Sequence, residues 1–391
     1  MTYLIGLLSM ILRLIERIIQ YVIGADDKQL YSLDHAILSM EVPPRSMWMN
    51  MGYWKNTSSF TKACEALLDQ VLITAKLLNE DGSPIKAHHQ QQGAIELVDV
   101  GIGCGDQSLY LTRRLSRVCT DSVTTTPSSG MKTTVDSSGG AQNREMRKRR
   151  TVSNHKTRSL FDSYVGVTIV QSQADFARER LLKDTTGEPA VSSGWTPDVK
   201  IFAADAADPP SWGNELRQAA LDNSGLDDTR IQEPGADKGS ERTQRWLLAL
   251  DTMYHFKPSR DSLLKYARRD MQASIMTFDL LLSETASFWE KLLLRSMCLI
   301  SGMPYSNFLP REEYLDMLVR AGYERNMIEM RDISAYVFAG IASHIREQDE
   351  KLRRYGMTVG KFKGAAKAFN WWARTGVVRG FVVVARIPGP V

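Results

Sequence analysis

Cysteine is scarce in this chain, with four in 391 residues. Cys64, Cys104, Cys119 and Cys298 stand far apart, without a C-x-x-C pair or a Cys/His spacing suited to zinc. That argues against a disulfide framework and a structural metal, and for a reducing compartment. A surplus of one charge is missing too. The net charge is only +4, and no basic patch is interleaved with aromatics, so nucleic acid is not an expected partner. Nor is there a clean run of ~20 apolar residues of the kind that spans a bilayer. The nearest, residues 2–25, carries Arg13, Glu16 and Arg17 inside it, and it lacks the basic leader and small-residue cleavage site of a secretory signal. What is present is ordinary: 43% hydrophobic and 24% charged residues. This suffices for a real core, in one large α/β domain with additions or in two small domains.

Residues 2–25 read as an amphipathic helix. Thr2, Gly6, Ser9, Arg13, Glu16, Arg17 and Gln20 recur three or four apart and draw a narrow polar stripe along an otherwise apolar cylinder. A helix lying in a membrane surface fits this pattern better than a lid packed on the domain, and a single span fits least. The expected location is therefore cytoplasmic, peripheral on an intracellular membrane through residues 1–25. Two later stretches read as insertions. Residues 119–162 are rich in Ser, Thr and Gly and contain the basic cluster 144–150; residues 213–243 are polar and punctuated by Gly, Asp and Pro. Neither has the apolar residues to form a core.

One stretch organises the rest. Ile95 to Val100 is mostly apolar and β-prone, reading as a buried strand, and it runs directly into Gly101, Gly103 and Gly105. A segment of helical periodicity, Gln107 to Leu115, follows. Glycine permits positive φ and close approach of a ligand to the backbone, and the helix N-terminus offers free N–H groups. The dinucleotide fingerprint G-x-G-x-x-G fails, because Asp106 stands where its third glycine belongs. What remains is Asp99-Val100-Gly101-Ile102-Gly103-Cys104-Gly105. This D-V-G-x-G-x-G run resembles the first motif of the class I S-adenosylmethionine-dependent methyltransferases.

That resemblance implies a Rossmann-like α/β fold: a seven-stranded, mostly parallel sheet with an antiparallel last strand and helices on both faces. It also implies S-adenosylmethionine as cofactor, lying across the strand tips with its carboxylate and ribose near Gly101, Gly103 and Gly105. Asp99 would organise the turn or contact the methionine amine. The division expected is a surface helix over 1–25, a helical cap over the cofactor at 26–93, and the methyltransferase domain at 94–391 with the two insertions.

Further motifs sharpen the likeness. Asn50-Met51-Gly52-Tyr53-Trp54 resembles an element of small-molecule methyltransferases of the cyclopropane-synthase-like and tocopherol-methyltransferase-like branch. There it folds over the cofactor, which implies contacts from Tyr53 and Trp54. Core anchoring is the rival role for both rings. Gly166-Val167-Thr168 followed by Gln173 resembles the same branch, in which Thr168 and Gln173 would take the place of the usual ribose-binding acid. Hydroxyl and amide groups can both bond a diol. Gln171 stands where Ser is more usual. Asp205, at the end of a third strand, and Ala206 would serve the adenine, with Trp212 walling it; a turn or N-cap Asp is the competing reading. The run Ala249-Leu250-Asp251-Thr252-Met253-Tyr254-His255-Phe256-Lys257-Pro258-Ser259-Arg260 is similar to a group of fungal methyltransferases. It places Asp251 among the cofactor contacts and His255, beside Tyr254, as a candidate general base. Against a base stands the simpler view that methyl transfer needs only alignment.

The function implied is methyl transfer to a small lipophilic acceptor, with no metal. A cyclopropane-forming enzyme of the same fold is the first alternative, and a non-catalytic cofactor-binding scaffold is the second.

Overall fold

Period-two alternation decides how the sheet is built. In a computed structural model, residues 46–83, 93–119, 156–182, 197–221, 243–353 and 357–388 are described. The expected surface helix 1–25, the basic cluster 144–150 and most of both insertions lie outside them. Strand β1 (Ile95–Val100) is buried along its whole length. It pairs in parallel with β2 (Ser163–Thr168) on one side and β4 (Gln244–Leu250) on the other. Strand β3 (Asp198–Ala203) extends the sheet beyond β2. On the other side β5 (Ser274–Leu282) runs parallel to β4, and β7 (Val378–Ala385) is antiparallel between β5 and β6 (Ile328–Asp332). The order is β3-β2-β1-β4-β5-β7-β6. The seven-stranded, mostly parallel sheet with its reversed strand is therefore as the glycine motif implied.

Two apolar layers sandwich this sheet. Leu248 and Leu250 of β4 join one, and Leu247 and Ala249 join the other; β5 divides likewise, with Met276 and Phe278 opposite Ile275. Full burial of each such side chain contributes roughly 1.5–3 kcal/mol, which makes these layers the main stabilising term. The first layer holds α1 (Phe60–Thr74), whose Ala63, Leu67, Val71 and Leu72 form a buried stripe. Helix α1 is shorter than its apolar pattern, which runs to Leu78. Lys76 adopts φ +59°, and the Leu77 N–H returns to the Leu72 carbonyl, closing the helix with a turn.

After the glycine turn a short α2 (Asp106–Leu109) loosens into one π turn, Tyr110–Arg114. Helix α3 (Gln171–Leu182) follows β2, and α4 (Asn214–Leu221) follows β3. Helix α4 falls in the stretch read from sequence as an insertion. Leu216, Ala219 and Ala220, spaced three and four apart, are buried in the second layer, and this holds it as a helix. Ordered chain also reaches into the first insertion: residues 116–119 and 156–159 pair as an antiparallel ribbon, and Leu160 and Phe161 are buried. Helices α5 (Asp261–Arg269) and α7 (Arg311–Ala321) cover the second layer, while α6 (Phe288–Ser301), α8 (Phe338–Arg353) and α9 (Phe362–Thr375) pack towards the first.

Candidate functional site

The strand order reverses between β1 and β4, and the carboxyl ends of neighbouring parallel strands define a crevice there. Four of the segments singled out in the sequence arrive at that edge: residues 101–105 after β1, Thr168 at the end of β2, Asp205 after β3 and Asp251 after β4.

The glycines are required by conformation and by space. Gly101, Gly103 and Gly105 have φ of +81°, +56° and +87°. A Cβ on Gly101 would meet Thr252 Oγ1 at 2.6 Å, one on Gly103 the Met49 sulfur at 2.4 Å, and one on Gly105 the Ala177 Cβ at 2.8 Å. The turn is thus wedged between the strap ahead of α1, the loop after β4 and helix α3. Amides of Gly101 and Ile102 both donate to the Val167 carbonyl, at 2.8 and 3.3 Å, fixing the turn to the tip of β2.

Asp99 lies beneath it, fully buried. Gln107 Nε2 donates to both carboxylate oxygens at 2.7 and 2.8 Å, and Tyr164 donates at 2.7 Å. Burial pushes the Asp99 carboxyl up to about 7, against the pull of the Tyr164 and Gln107 donors. This geometry favours the turn-organising role over direct contact with a ligand. Asp106, which displaces the third fingerprint glycine, accepts two bonds from Arg180 of α3 (2.5 and 3.1 Å) and one from the Met47 N–H. It clamps the helix start, the strap and α3 together.

The strap, residues 46–55, crosses the strand tips. Its Met49 sulfur sits over Gly103 and takes a contact of 3.8 Å from Gln173 Nε2. Thr168 Oγ1 donates to Gln173 Oε1 at 2.9 Å, so these two predicted residues form one buried pair. Tyr53 and Trp54 point into helical packing. Tyr53 meets Tyr336 edge-on at 5.2 Å; Trp54 stacks on Phe60 and lies 5.4 Å from His344. Trp54 also donates through Nε1 to the Met51 carbonyl, and a Cβ on Gly340 would strike its ring at 2.1 Å. Trp54 thus anchors the strap on α1 and α8, and Tyr53 on the 3-10 turn just before α8.

Asp205 accepts from the Ala207 N–H at 2.8 Å in a turn, and its own carbonyl accepts from Trp212 Nε1. Ala206 is buried beside it. Trp212 does not wall a crevice. It is 2% exposed and packs edge-on against Tyr266 in the second apolar layer.

After β4 the chain turns at Asp251, which has φ +56° although it is not glycine. Its Oδ2 accepts from the Met51 N–H at 2.7 Å, while Oδ1 is buried without a hydrogen-bond partner. Burial raises this carboxyl to about 8, with the Met51 N–H and the Tyr254 hydroxyl pulling the other way. Tyr254 and His255 follow in a 3-10 turn, rings 4.2 Å apart; Tyr254 is buried and His255 half-buried. Asn307 holds this loop by donating to the carbonyls of Tyr254 (3.1 Å) and Phe256 (2.8 Å).

Sequence reasoning assigned no role to several residues that build this edge. Met49, Met51 and Asn307 carried no signal of their own. Arg260 and Asp279 did: a carboxylate inside the apolar strand β5 requires a partner. Arg260, itself fully buried, donates to Asp279 and to the Asn307 carbonyl, and Tyr314 donates to the same carboxylate at 3.0 Å. Burial raises the Asp279 carboxyl, opposed first by the Arg260 charge.

No known family model matches the sequence, and no curated protein does either. Solved structures do align. A protein assigned as a sarcosine dimethylglycine methyltransferase from Galdieria sulphuraria matches with a TM-score of 0.51 at 10% identity, over 87% of this chain and 93% of that one. The [4+2]-cyclase SpnF aligns at 0.49 and 17% identity, over 92% and 95% of the two chains. The cyclopropane synthase MmaA2 from Mycobacterium tuberculosis aligns at 0.48 and 13%, over 91% and 94%. Sheet order, glycine turn and the first of these likenesses agree: the chain has the seven-stranded Rossmann-like methyltransferase fold.

Proposed function

We propose that this protein is an S-adenosylmethionine-dependent methyltransferase acting on a small, lipophilic acceptor. The observation carrying the proposal is the glycine turn: three glycines at positive φ, packed so closely by Thr252, Met49 and Ala177 that side chains are excluded. Around it stand polar groups suited to the cofactor. Thr168 and Gln173 would hold the ribose hydroxyls; the amide of Gln173 faces only a thioether, a weak acceptor it can exchange for an oxygen. Asp205 and the neighbouring Ala206 N–H would serve the adenine. Asp251 Oδ1, buried and without a partner, would accept from a cationic amine, and such a charge draws its carboxyl back towards the ionised form. Tyr53 and Trp54 act through the strap they anchor.

Bound S-adenosylmethionine supplies a methyl group on a sulfonium, transferred by direct displacement. The chain contributes alignment and exclusion of water. His255, half-buried at the tip of β4, is the candidate to take a proton from the acceptor in its neutral form, with Tyr254 packed against it.

Calorimetric titration of S-adenosylmethionine into the full chain tests this reading. Binding of micromolar order is expected, weakened at least about tenfold by the pair Thr168→Ala and Gln173→Ala. A folded parent that binds nothing refutes it.

A further inference from the structure

Helix α6 is inverted relative to an ordinary surface helix. Only Leu294 and Cys298 are buried. At about 100° per residue, Phe288, Trp289, Leu292, Leu293, Leu299 and Ile300 project on the opposite side, within an arc of about 140°. Their exposures run from 45% for Leu292 to 76% for Leu299. The charged residues Glu290, Lys291 and Arg295 lie on the flanks, and Ser296 is the one polar side chain within the arc. No described residue packs over this arc, which presents apolar surface on the order of 600 Å², at or above what soluble monomers tolerate as their largest patch. The helix is nevertheless firmly made. Ser287 and Glu290 form a reciprocal capping box, and Gly302 ends it at φ +73°. The outward face is therefore a rigid feature of the fold and not a frayed end.

We infer that the outward face of α6 is a docking surface for a bilayer bearing anionic headgroups. Charge selects this occupant. Lys291 and Arg295 flank the apolar arc on one side and Glu290 on the other, leaving the helix at net +1, and Arg295 is exposed. Helix α9 joins the same corner of the molecule: the turn 305–307 packs under α6, and Phe308 beside it meets Trp372 of α9 at 6.4 Å. Lys367 and Arg374 are exposed on α9, and after Glu350 the sequence holds no acidic residue. An apolar face with an exposed Trp–Phe pair and cations at its margin matches the boundary between acyl chains and anionic headgroups. The helix is 14 residues long, and no described helix is long and apolar enough to cross a membrane, so α6 would lie in the surface plane. Asn307, in the turn under α6, also holds the loop carrying His255. Docking would thus bring the strand-tip edge to the layer where a lipophilic acceptor resides.

The test is flotation of the full chain with vesicles of phosphatidylcholine alone or with about one third phosphatidylserine, alongside calorimetry with S-adenosylmethionine. The parent is expected to float with the anionic vesicles. The variant Phe288→Ser/Trp289→Ser/Leu292→Ser should lose about tenfold or more in partitioning with its melting temperature and cofactor titration unchanged. Lys367→Glu/Arg374→Glu should erase the preference for phosphatidylserine. Four results overturn the inference: no flotation of the parent; undiminished flotation of the triple variant, which places binding elsewhere, as in residues 1–25; melting several degrees lower, which means the chain covers this face itself; or a parent dimer that the triple variant makes monomeric. The titration reports separately on the cofactor reading, so either can fail alone.

Discussion

Replacing Asp251 by asparagine should stabilise the protein, and by an amount that grows with pH. The residue is half-buried at a strand tip, with Oδ2 on the Met51 N–H and Oδ1 itself buried without a hydrogen-bond partner. Its carboxyl is raised from 3.8 to about 8 by burial. Between those values the native state holds a proton that the unfolded chain releases, so the parent's stability falls as pH rises from about 4 to about 8 and then levels. At 1.36 kcal/mol per pH unit, the ceiling is about 6 kcal/mol. About three of those units lie between pH 5 and pH 8, so the gain above pH 8 should exceed that at pH 5 by about 4 kcal/mol, whatever constant offset the amide's weaker hydrogen bond to Met51 adds. Urea melts of both proteins at pH 5, 6.5, 8 and 9 measure it. A difference that does not change with pH, or that shrinks as pH rises, would refute the reasoning. The same substitution should weaken S-adenosylmethionine binding, separating a residue kept for ligand contact from one kept for the fold.

Two further outcomes follow from packing. Arg260→Ala leaves the Asp279 carboxyl buried without its cation and should destabilise by about 3–5 kcal/mol, whereas Arg260→Met with Asp279→Leu should cost far less; equal losses by denaturant titration would contradict the ion-pair account. Gly340→Ala drives a methyl into the Trp54 ring, 2.1 Å from Cγ, and should cost about 1–3 kcal/mol, most of it recovered when Trp54→Leu is added; unchanged stability would mean the strap does not anchor there.

The fold was legible because its signals are local. Alternating or continuous apolar runs mark β1, β2, β4, β5 and β7 within a few residues, and three alternate glycines after β1 mark the turn. Where the reading went astray, tertiary contacts outweighed local composition. Helix α4 sits in a polar stretch and is held by three small apolar side chains against the second layer. Trp212, adjacent to the adenine candidates in sequence, faces the core because its indole N–H bonds the Asp205 carbonyl and its ring edge meets Tyr266.

The sequence by itself determined the sheet, the positive-φ turn and which strand tips carry polar groups, since these depend on periodicity and on what glycine alone can adopt. Only the tertiary structure decided who meets whom. It laid Met49 over Gly103, turned Asp251 under the strap, set Tyr53 against Tyr336 and pointed Trp54 into α8. It also set the apolar face of α6 outwards. Partners in these contacts lie tens to hundreds of residues apart, and their meeting depends on how helices and loops pack across the sheet, which no local pattern encodes.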